Sequence, residues 1–120
     1  LKMGNMPETV PLLERAWKSR GGINASDDAE GLSLLNNLAI ALNRTGRRKE
    51  AMQLLQHHLA TLEHGKSVLL YNLACYECLE GNLDKAKDLI SKHLILHPDM
   101  KAQALADTDF AAICDFIEAL

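Results

Sequence analysis

A chain of 120 residues has the length of one domain, and a hydrophobic fraction of 48% with a charged fraction of 24% excludes a disordered segment. Its formal charge of −3 gives no basic field for a phosphate backbone, so nucleic acid is not an expected partner. No stretch resembles a secretory h-region or an apolar run of about 18 residues, and three cysteines cannot all pair within one chain, so no membrane span and the reducing cytoplasm are expected. The chain opens on Leu1 and not Met, and upstream residues are expected.

Aromatic residues make up 4% and β-branched residues are too scattered for period-two runs, so the class is all-α. The first element is a helix within 4–20, where Leu12, Leu13, Ala16 and Trp17 recur at three-four spacing and Pro7 and Pro11 delay or kink the start. The segment around Gly21, Gly22, Ile23 and Asn24 reads as an inserted loop, with or without extra helical turns. A second helix covers 28–45, opened by a capping box of Asp27 and Glu30 and carrying Leu35, Leu38, Ala39 and Leu42. Gly46 ends it, because glycine enters the left-handed conformation at little cost and lets the chain reverse. The third helix, 48–64, carries Ala51, Leu54, Leu55, His58 and Leu59. Ser67 caps a fourth over 68–80, Gly81 ends that one, and a fifth over 83–97 stops at Pro98. Asp99 to Ala106 reads as a short helix. Asp107 or Thr108 then caps a last helix bearing Phe110, Ile113, Phe116 and Ile117, a tail that seals one end.

Sliding the sequence by 35 residues superimposes Leu34, Leu35, Asn37, Leu38 and Ala39 on Leu69, Leu70, Asn72, Leu73 and Ala74. The same offset carries Gly46 onto Gly81, Ala51 onto Ala86, Leu54 onto Leu89, His58 onto His93 and Leu59 onto Leu94, so one unit is used twice. The stretch Leu70, Tyr71, Asn72, Leu73, Ala74, then Gly81, Asn82, Leu83, Ala86, Leu94 and Pro98, resembles the tetratricopeptide repeat family almost throughout. The preceding unit keeps Leu35, Leu38, Ala39, Gly46 and Ala51 but has Glu63 where proline is usual and Leu42 where an aromatic is common. His58 and His93 stand where that family has a small residue, so packing there is expected to be looser or rearranged. The resemblance spans roughly residues 4–98; the tail is similar to closing segments of some bacterial repeat proteins. It implies one domain made of a partial repeat (4–20), two repeats (28–64 and 67–98) and a capping tail (99–120), wound as a right-handed superhelical array of antiparallel hairpins. Each hairpin buries an apolar face on one side only and therefore needs neighbours or caps.

Catalytic and metal constellations are not expected. Cys75 and Cys78 form a Cys-x-x-Cys pair, but mid-helix, away from the helix N-terminus where a dipole stabilises a thiolate. His93 and His97 share a helix face without a third ligand, and His57, His58 and His64 read as packing or surface residues. His97, Pro98 and Asp99 spell the tripeptide of J-domain co-chaperones, but at the proline-bearing end of a repeat. Arg44, Arg47, Arg48 and Lys49 read as solvated charges at a turn, and Cys114 has no assignment. No Ser, His and carboxylate set converges on a Gly-rich or strand-tip loop, so neither an enzyme nor a cofactor is expected.

What remains is binding of a protein or peptide. The resemblance implies that first helices line a concave face, where the outward positions are Ser33, Asn36, Asn37, Ile40, Asn43 and Arg44, then Val68, Tyr71, Asn72, Cys75, Cys78 and Leu79. Asn side chains carry a donor and an acceptor for an extended backbone, while Ile40, Val68 and Tyr71 supply apolar contact. The expected partner-binding set is Asn36, Asn37, Ile40, Asn43, Arg44, Val68, Tyr71 and Asn72, with Tyr71 either an anchor or packed under the tail. A clamp for chaperone C-termini is not expected, because among the residues it would need only Asn37 is present. The alternative is a structural or dimerising segment of a larger repeat protein or multidomain enzyme, which makes a homodimer the other expected assembly.

Overall fold

The computed structural model of the chain describes residues 6–21, 29–60 and 66–120. These residues form seven α-helices and no strand, in two compact units, Leu1–Lys66 and Ser67–Leu120. No helix among them is long and apolar enough to cross a membrane. The capping box at Asp27, the insertion from Gly22 onward, and Glu63 and His64 lie outside the described residues.

The first unit holds α1 (Met6–Arg20), α2 (Ala29–Arg44) and α3 (Arg48–Leu59). Neither proline delays α1: it opens at Met6, Pro7 falls in the first turn where no backbone N–H is needed, and Pro11 is carried inside the helix. α2 packs against both α1 and α3. Its face toward them is the three-four stripe read from the sequence, with Leu35, Leu38, Ala39 and Leu42 buried and Ala51, Met52 and Leu55 buried on α3. Ala39 and Ala51 have no exposed surface, as close helix approach requires.

The second unit holds α4 (Lys66–Leu79), α5 (Leu83–Leu96), a 3-10 turn (Pro98–Met100), α6 (Lys101–Ala106), a 3-10 segment (Thr108–Ile113) and α7 (Cys114–Ala119). α4 opens at Lys66, so Ser67 lies in the first turn and is not the cap. The single last helix expected from the sequence is two elements. Asp107 does cap: its Oδ1 accepts from the Asp109 N–H at 3.0 Å, and the residues behind it wind as 3-10 helix before α7 starts. Phe110 and Ile113 from the 3-10 segment and Ile117 from α7 complete a core with Leu69, Leu73, Ala74, Ala86 and Ile90.

The two glycine turns are equivalent in detail. Gly46 has φ +83° and Gly81 φ +82°. Arg47 N–H donates to Leu42 carbonyl at 2.8 Å and Asn82 N–H to Glu77 carbonyl at 2.9 Å, while Gly46 and Gly81 donate to Asn43 and Cys78. This is the six-to-one and five-to-two pairing that closes a helix on a left-handed residue. A Cβ added at either glycine would meet no atom within 4 Å, so only the backbone conformation opposes a side chain. Gly46→Ala and Gly81→Ala should each cost about 1–2 kcal/mol in urea denaturation. Clearly unequal costs would mean the turns are not equivalent.

His58 and His93, the two histidines at equivalent positions of the 35-residue offset, each lie against aromatic rings. His93 is buried, its ring centroid 5.2 Å from that of Tyr71 and 5.5 Å from that of His97. The His58 ring sits edgewise on Trp17 at 5.2 Å, with Nδ1 2.9 Å from the Leu54 carbonyl oxygen.

Candidate functional site

On α2 the face opposite the buried stripe carries the expected residues. Asn36, Asn37, Ile40 and Asn43 are half-buried, and Ser33 and Arg44 are exposed. A helix places positions three and four apart on one side, so Ser33, Asn36, Asn37, Ile40 and Arg44 form a single row. Asn43 has a second duty: its Oδ1 accepts from Arg48 Nε at 2.7 Å across the Gly46 turn. Arg47, beside it, forks to Glu50 at 2.6 and 2.9 Å and to Glu14 at 3.3 and 3.5 Å. Hydrogen bonding to these carboxylates raises the Arg47 pKa further, and the same bond holds Glu50 below the usual carboxylate range. Two of the four cations in the basic cluster are therefore tied into the turn.

On α4 the expected residues behave differently from one another. Val68 is exposed, Asn72 is half-buried, and Tyr71 is half-buried against the tail. The Tyr71 hydroxyl donates to Asp107 Oδ2 at 2.7 Å, and its ring meets the Phe110 ring edge-on at a centroid distance of 5.4 Å. Burial, then the Asp107 bond, pushes the phenol well above its ordinary pKa. Cys75 and Cys78 are buried, Leu79 is exposed, and the three cysteines are free thiols.

One constellation escaped the sequence reading. Cys75, Asp107 and Asp109 each bring one potential metal-ligating atom within 4.8 Å of the others. Cys75 stands 32 and 34 residues before the two acids, so nothing short-range announces the set. The Asp107 oxygens already accept from Asp109 N–H and Tyr71 hydroxyl, and Cys75 Sγ donates weakly to Oδ2 at 3.9 Å. Burial first, and the two carboxylates second, push the Cys75 thiol up, away from the thiolate a metal would need. Burial also raises Cys78, against a hydrogen bond with the Ala112 backbone. The arrangement fastens the tail to α4 through neutral donors.

Grooves among the described residues lie away from these faces. One, of about 370 Å³ in the first unit, is lined by Trp17, Leu38, Leu42 and Leu54 with Glu14 and Glu50 at its rim. The other, of about 220 Å³ in the second unit, lies between α5 and the ends of the tail helices.

The model of one family, described as tetratricopeptide repeat, matches residues 32–64. Neither curated proteins nor solved structures gave a significant match. The matched segment runs through α2, the Gly46 turn and α3, and a tetratricopeptide repeat is in general a scaffold for protein–protein interaction. The chain therefore contains a segment, residues 32–64, similar to a tetratricopeptide repeat, and the turn geometry at Gly46 inside it recurs at Gly81.

Proposed function

We propose that this chain is a non-catalytic scaffold that holds a segment of a protein partner on the outward face of α2. The observation that carries the reading is the division of α2 within the matched repeat: one side is wholly apolar and buried. The other presents Ser33, Asn36, Asn37, Ile40 and Arg44 in a row. Amide side chains beside one aliphatic residue suit an extended peptide, whose backbone needs alternate donors and acceptors while a side chain needs apolar contact. Asn43 and Arg44 complete the row at its C-terminal end, with Asn43 also serving the turn. On α4, Val68 and Asn72 are proposed as a separate contact surface. Tyr71 belongs with them only through its outward edge, because its hydroxyl and one ring face serve the tail.

The test is affinity capture from the source cell, with the chain and its variants as bait. Ile40→Asp and the double change Asn36→Ala, Asn37→Ala should lose the protein captured by the parent chain. Losses of more than about 1 kcal/mol in measured affinity mark energetically important interface residues. Lys85→Ala, at an exposed position of α5, should retain it. Retention by all the α2 variants, with their helical circular dichroism intact, would remove α2 from the interface.

A further inference from the structure

We draw no further inference here: the strongest candidate, the side-chain cluster of Cys75, Asp107 and Asp109 where the tail meets α4, is one thiol and two carboxylates whose hydrogen bonds already fasten the tail, and no second observation among the described residues points to an ion or other ligand there.

Discussion

Phe110→Ala is expected to destabilise the protein by about 3–5 kcal/mol, the usual cost of removing a fully buried aromatic side chain. Phe110 is 1% exposed and supplies the largest side chain of the second unit's fully buried core. Truncation removes its own transfer free energy and leaves a void among Leu69, Ile90, Ile113 and Ile117 that helices joined by short turns close only in part. It also removes the ring that meets Tyr71 edge-on. Native-state hydrogen exchange should then show lost protection in α4, α5 and α7. A change below about 1 kcal/mol would mean that the 3-10 segment is not part of the core, since ordinary surface substitutions stay within that range.

Tyr71→Phe isolates a single hydrogen bond. Every ring contact is kept, and the hydroxyl that donates to Asp107 at 2.7 Å is lost. A bond to a carboxylate contributes about 1.5–3 kcal/mol, and the half-buried setting of Tyr71 places the expected loss in the lower part of that range. The alkaline behaviour should change with it. Burial and Asp107 raise the folded-state pKa of Tyr71, so its contribution is fully present below the ordinary tyrosine pKa of about 10 and is lost as pH climbs beyond it. The difference in denaturation midpoint between the parent chain and Tyr71→Phe should therefore shrink above pH 10 or so, where an unfolded tyrosine ionises. A difference constant to the highest pH measured would show that the phenol is not held neutral by the fold. Tyr71→Ala adds the loss of both aromatic edges. If that variant is destabilised yet binds a captured partner as the parent does, Tyr71 serves the tail alone.

Much of the architecture was legible in the sequence for local reasons. Leu35, Leu38, Ala39 and Leu42 mark the buried side of α2 because helical periodicity is a property of neighbours three and four apart. Gly46 and Gly81 mark the turns because the left-handed conformation penalises a Cβ at the residue itself, whatever the rest of the chain does. The 35-residue offset announced the two hairpins, and the outward row on α2 is simply what remains when the buried stripe is subtracted.

Helix starts were less legible: α1 accepts Pro7 in its first turn, and α4 begins before Ser67, because first-turn N–H groups have no intrahelical partner and constrain sequence weakly. The tail was legible only in part. Asp107 was readable as a cap and the apolar residues Phe110, Ile113 and Ile117 suggested one helix, but the 3-10 winding and the fresh start at Cys114 come from fitting those side chains against α4 and α5. The placement of Tyr71 is of the same kind. Composition and spacing allowed it to face a partner or the tail, and its bond to Asp107, 36 residues away, follows from where the chain returns. Local rules depend on residues within one helical turn of each other and survive in the sequence as pattern. Contacts between distant segments depend on which arrangement fills the core without voids, and only the folded chain decides that.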